Sequence, residues 1–311
     1  MANEHNVTTG LVLSGGGARG FAHVGVLSVF EDIGAKFDVV TGVSMGAIIG
    51  SFYAAGYSAK EIRDIVTNVG WREIVDVSLK TGVLKGDRLD AFLREHLPET
   101  FEELKLPFAV GATDIETGEA VFLAEGDLVT AVRASAAFPG AFEPIIINGR
   151  TLADGGIVNN LPVNAATLLG ATTTVASDVT AVRHRLFVDP SEEDISWWDR
   201  MVATVKFERR NPMVHMMLRS VDIMQALLTD MHAVLQPADF RIKIPMQNQQ
   251  IESFNNADEI IAEGVSAAKQ AIHAIGGWDT IRSLSRGERQ PIIQLTTVAA
   301  SKPAFKPKKG S

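Results

Sequence analysis

Residues 37–55 read FDVVTGVSMGAIIGSFYAA. Phe37–Thr41 is an apolar run of strand length, and a helix near Met45–Ala55 follows after a glycine-flanked turn. Upstream, the same alternation appears once more. Gly10–Ser14 (GLVLS) fits a buried strand, Gly15–Gly20 (GGGARG) a glycine-rich turn, and Phe21, Val24, Leu27 and Phe30 form a helical stripe that stops at Gly34. Strand, helix, strand, helix in close succession predicts an α/β protein whose central, largely parallel sheet is flanked by helices, built as a single elaborated domain.

Further along, Ser58 and Glu61 form a capping-box start for a helix to about Val69, and a second helix is expected over Asp87–Leu97. Phe108–Leu123 returns to strand character around a turn at Glu116-Thr117-Gly118, and a short helix spans Leu128–Ala137. Asn148-Gly149 between two short strands is a two-residue hairpin signal that puts Asp154 at a strand end. Thr172–Ala176 and Phe240–Ile244 read as strands, and Ala257–Ile275 as a helix with one apolar face and Gly276 just past its end. The core carrying the motifs is therefore expected over residues 9–180 and a helix-rich segment over 181–237. A final strand and helix over 238–278 complete the domain, and an extension over 279–311 becomes a basic tail from about residue 300.

Composition narrows the function. The chain has 311 residues, 46% of them hydrophobic and 21% charged, which excludes a disordered or fibrous protein. With no cysteine it has no disulfide, thiolate metal site or cysteine nucleophile. A net charge of −8 argues against nucleic acid as a partner. The start, MANEHNVTTG, lacks the pattern of a secretory signal, so a cytoplasmic protein is expected.

Gly42-Val43-Ser44-Met45-Gly46 is a G-x-S-x-G pattern with a strand before it and a helix after, the context that exposes a serine oxygen at a sharp turn. Gly15–Gly20 also fits the dinucleotide fingerprint, but the second strand ends in Val40-Thr41-Gly42, without the acid that would hold a ribose. Backbone N–H groups facing an anion, as in an oxyanion hole, are the remaining chemical use, beside a plain packing role. A serine needs a base. None of the seven histidines follows a strand in a loop suited to reach Ser44; Asp154 does, and its spacing leaves it open between a base and a turn-forming aspartate.

Together these residues resemble a family. Gly15–Gly20, Gly42–Gly46, Arg133–Pro139 (RASAAFP) and Asp154-Gly155-Gly156 occur in the order and approximate spacing of the patatin-like phospholipases, over about residues 9–180 and through Asn159–Val163 (NNLPV). The resemblance implies a serine lipid acyl hydrolase of phospholipase A or lysophospholipase type. Ser44 would be the nucleophile and Asp154 the general base, with no histidine, metal or cofactor required. Oxyanion donors would come from Gly15, Gly16, Gly17 and Ala18. Arg19 matches the motif's basic position, where it either holds the loop or meets a substrate phosphate. Two other readings stand beside this one: a histidine-dependent α/β-hydrolase esterase, with His232 or His273 as base, and a non-catalytic lipid- or nucleotide-binding protein.

The Val43–Ala59 stretch is too short and glycine-rich to span a bilayer. An enzyme for acyl lipids would then touch membranes or micelles transiently, and Trp197, Trp198 and the Met213–Met231 segment are candidates for that contact. The plainer reading makes the same residues core filler on the sheet.

Overall fold

Thr9–Leu13 forms β1, buried along its whole length. A strand with both faces apolar can satisfy its backbone only inside a sheet whose two sides are covered. It pairs in parallel with β2 (Val39–Val43) on one edge and β7 (Thr173–Asp178) on the other. β2 continues in parallel to β3 (Phe108–Asp114), and β7 to β8 (Phe240–Lys243). At the β3 end the sheet becomes antiparallel, through β4 (Ala120–Leu123) and the hairpin of β5 (Ile145–Ile147) with β6 (Arg150–Asp154). The order is β5-β6-β3-β2-β1-β7-β8, with β4 on β3 and a two-residue β9 (Thr296–Thr297) on β4. The computed structural model describes residues 8–74, 86–139, 141–180, 212–246, 249, 254–284 and 296–297.

Alternation along β1 divides the core in two. Leu11 and Leu13 point into a large apolar cluster under α1 (Ala22–Asp32), α2 (Met45–Ala55), α3 (Ala59–Asn68), α4 (Trp71–Ile74), α5 (Asp87–His96) and α6 (Leu128–Ser135). Val12 points the other way, into a smaller cluster with Val163 and Ala166 of α7 (Val163–Leu168). After α7 come α8 (Pro212–Leu235), α9 (Ala257–Ile275) and α10 (Trp278–Arg282). α9 lies against α1 so closely that a methyl group on Gly264 would overlap the Ala22 carbonyl.

Most element expectations hold. Ser58 and Glu61 make both bonds of the capping box, Asn148 and Gly149 turn the hairpin at φ 50° and 79°, and α9 stops at Gly276 with φ 92°. Several boundaries move. β2 runs to Val43, two residues beyond the apolar run, because Gly42 and Val43 still pair with β1 or β3. α1 begins only at Ala22, because Gly17–Phe21 winds as a 3-10 turn after Gly17 at φ 56°. Trp197, Trp198 and the basic tail lie outside the described residues. No helix among the described residues is long and apolar enough to cross a membrane.

Candidate active site

Ser44 leaves β2 and opens α2 at φ 54°, ψ −124°. A positive φ at a residue with a side chain costs on the order of 1–3 kcal/mol and persists only where neighbours impose it. Here the Ser44 N–H donates to Ser135 Oγ at 2.8 Å, and that hydroxyl donates to the Gly111 carbonyl at 2.6 Å. The Ser44 carbonyl accepts from Ala47 and Ile48, closing the first turn of α2. Gly46 allows the helix to sit against β1: a methyl carbon there would lie 2.5 Å from the carbonyl oxygens of both Leu13 and Ser14.

Pairing along β3 decides where Asp154 lies. Val110 and Gly111 pair with both β2 and β4, while Ala112 and Thr113 pair with both β6 and β4. A strand has two edges, so β2 and β6 share one of them, end to end. One runs parallel to β3 and the other antiparallel, so their C-terminal ends meet, Val43 at Gly111 and Asp154 at Ala112. Gly155 permits the junction, since a methyl group there would overlap the Gly111 carbonyl oxygen. The Asp154 side chain is 2% exposed. Its Oδ1 accepts from the Gly156 N–H at 2.7 Å. Burial pushes its pKa up to about 6, against the Gly156 N–H and the nearby Ser44 hydroxyl, which favour the ionised form.

The glycine-rich loop follows β1, on the other side of Ser44. The Gly15 N–H donates to the Asn160 carbonyl at 3.2 Å, and Asn160 Nδ2 donates back to the Gly15 carbonyl at 3.2 Å and to Thr180 Oγ1. Gly16 and Gly17 face the cleft, while Gly15 and fully buried Ala18 do not line it. Among the described residues the Gly16 and Gly17 N–H groups meet no backbone carbonyl. Arg19 does not line the cleft. Its buried guanidinium donates through Nε to the Gln249 carbonyl at 2.9 Å, tying the loop to the segment before α9. His23, fully buried on α1, holds the loop from behind: its Nε2 bonds the Ser14 carbonyl and its Nδ1 the Ser177 hydroxyl, both at 2.8 Å. A carbonyl only accepts, so Nε2 carries the proton, and burial lowers the His23 pKa to about 4.

Ser44, Asp154 and the loop open into a cleft of about 810 Å³, its mouth included. Ile48, Trp71, Ile74, Phe138, Phe142 and Phe254 give it apolar walls. Among the described residues no histidine lines it. His232 bonds Asn159 Oδ1 at 3.2 Å, and His273 lies in a separate groove between the ends of α1 and α9. No group of three or more metal-ligating side chains is assembled among the described residues.

A family model described as patatin-like phospholipase matches residues 11–167, just over half of the chain. The chain belongs to that family. The patatin-like phospholipases are hydrolases of lipid esters, and this protein is an enzyme of that kind. It is 28% identical over 328 residues to an uncharacterized NTE family protein of Mycobacterium tuberculosis, covering 85% of this chain and 91% of that one. It is also 28% identical over 298 residues to a protein of Mycosarcoma maydis named as the lysophospholipase NTE1, covering 90% of this chain but 15% of the fungal one. The crystal structure of VipD from Legionella pneumophila has the same fold, with a TM-score of 0.53 at 16% identity, covering 86% of this chain and 67% of that one.

Several residues around this patatin-like site had no role assigned from sequence. Ser135 and Asn160 stand inside the quoted motifs, which was the signal available for them. Trp71, Phe254 and Gln225 reach the cleft from outside every motif. Arg133 of the RASAAFP motif is buried, donates to the Gly86 carbonyl and sits 6.0 Å from the Phe142 ring centre, bracing the apolar wall.

Proposed function

We propose that the protein hydrolyses fatty-acyl esters of phospholipids or related lipids through a Ser44–Asp154 dyad. The observation that carries this reading is a buried carboxylate beside Ser44, both lining one apolar-walled cleft. With its pKa near 6, Asp154 is ionised at neutral pH yet more basic than an ordinary carboxylate. It takes the Ser44 proton as Oγ attacks the ester carbonyl, and the Gly16 and Gly17 N–H groups hold the oxyanion. Protonated Asp154 then gives that proton to the leaving alcohol oxygen, leaving an acyl group on Ser44. Water enters, loses a proton to Asp154 and attacks the acyl carbon. The fatty acid departs as Ser44 Oγ regains the proton. The apolar walls suit an acyl chain, and the name of the fungal relative makes a lysophospholipid the first substrate to try.

Contact with lipid surfaces is transient and peripheral in this reading. On α8, Met224, Leu227, Met231, Val234 and Leu235 fall on one helical face and are 38–80% exposed, so this part of the methionine-rich segment is not core filler.

A fluorophosphonate probe tests the dyad. Ser44→Ala should abolish labelling, and Asp154→Asn should lower the hydrolysis rate by roughly 10²–10⁴-fold. Alanine variants of His96, His232 and His273 should each keep most of the rate. Labelling that survives Ser44→Ala, or inactivation by His232→Ala, would sink the assignment.

A further inference from the structure

We infer that Gln225 is a specificity-determining residue, whose side-chain amide meets a hydroxyl on the alcohol part of the ester beside Asp154. The inference rests on the proposed Ser44–Asp154 hydrolysis and adds which part of the substrate is read by hydrogen bonding. Among the described residues, the polar side chains lining the cleft are those of Ser44, Asp154, Asn160 and Gln225. The first two form the proposed dyad, and the Asn160 amide nitrogen is engaged by the Gly15 carbonyl and Thr180. The Gln225 amide has no hydrogen-bond partner among the described residues. An amide facing a cleft without a partner loses hydrogen bonding unless water or a ligand supplies it.

Its position ties it to the leaving group. The point where a Gly156 methyl carbon would sit is 2.7 Å from both Gln225 Nε2 and Asn160 Oδ1 and 3.0 Å from Asp154 Oδ1. Gln225 and the dyad carboxylate therefore come together over the Gly156 backbone, an approach that the absence of a side chain at Gly156 permits. After acyl transfer begins, the alcohol oxygen must lie beside Asp154 to receive its proton, so the carbons attached to that oxygen lie in the part of the cleft that Gln225 lines. A carboxamide is uncharged and both donates and accepts, which matches a hydroxyl on those carbons. Glycerol esters that retain a free hydroxyl are the substrate class this geometry favours.

The helix that carries Gln225 is anchored beside the site. The Gln225 backbone carbonyl accepts from the Thr229 hydroxyl at 2.7 Å, and Thr229 is buried. One turn further, His232 bonds Asn159, so the inner face of α8 is pinned to the segment that follows Asp154.

The test compares 1-palmitoylglycerol with propyl palmitate, which share an acyl chain and a three-carbon alcohol but differ in the two free hydroxyls. Both are presented to the full-length protein in the same detergent micelles. Gln225→Met keeps the length of the side chain and removes the amide. The ratio of kcat/KM for the glycerol ester to that for the propyl ester should fall about tenfold, the worth of one hydrogen bond. Gln225→Asn, which withdraws the amide by one carbon, serves if the methionine variant does not fold and should lower the same ratio. An unchanged ratio in a folded variant that still takes the fluorophosphonate would overturn the inference and leave the dyad standing. Failure of the wild-type protein to hydrolyse either ester would overturn the lipid-ester reading and this inference with it.

Discussion

At Ser44 the backbone holds a conformation that most side chains avoid, and at Asp154 a carboxylate is held away from water. The second feature makes a prediction about pH. Burial lifts the Asp154 pKa from its ordinary 3.8 to about 6, so the ionised base, and with it kcat/KM, should rise as pH increases through about 6. Stability should run the other way. The folded protein holds this proton more tightly than the unfolded chain, and the resulting stabilisation is complete below pH 3.8 and disappears as pH rises through about 6. A shift of two units corresponds to about 3 kcal/mol. Asp154→Asn, neutral at every pH, should therefore melt well above wild type at pH 8 and close to it at pH 4. Parallel melting curves at both pH values would contradict the burial argument.

α8 is the element with two purposes. Its inner face carries Gln225, Thr229 and His232 against the site, and its outer face presents Met224, Met231 and Val234 to solvent. Covering those three side chains at a lipid surface would contribute roughly 2–4 kcal/mol, at about 25 cal/mol per Å² of apolar area. That suffices for reversible adsorption. Replacing all three by serine should reduce sedimentation with phosphatidylcholine vesicles at least tenfold, while hydrolysis of a soluble short-chain ester stays near wild type. Equal vesicle binding by both proteins would assign the outer face another role. In sequence terms its methionines suit either a lipid surface or a core, and only the docking side of the helix distinguishes the two.

Across the whole molecule, catalysis in the proposed reading depends on two strands meeting end to end on β3. Gly155 sits at that junction, and Gly155→Ala would drive a methyl group into the Gly111 carbonyl. We expect about 1–3 kcal/mol of destabilisation from such overpacking, together with a loss of activity far larger than the stability change explains, because Asp154 would move from Ser44. Thermal melts and fluorophosphonate labelling of the one variant measure both. Retained activity in a destabilised protein would show that the dyad tolerates a shift of β6.

Much of the fold was legible because it is local. The G-x-S-x-G turn, the Ser58 capping box, the Asn148-Gly149 hairpin and the apolar face of α9 each depend on residues a few positions apart, and side-chain size, backbone freedom and hydrogen-bonding reach act at that range. Ser44 and Asp154 were named as candidates on motif order, but bare spacing left Asp154 open between a base and a turn. What tertiary structure decided is convergence: β2 and β6 sharing one edge of β3, Arg19 turned to Gln249, and Trp71, Gln225 and Phe254 gathered around one cleft. No local pattern encodes these, because a side chain's partner across the sheet is set by register and packing among segments far apart in the chain.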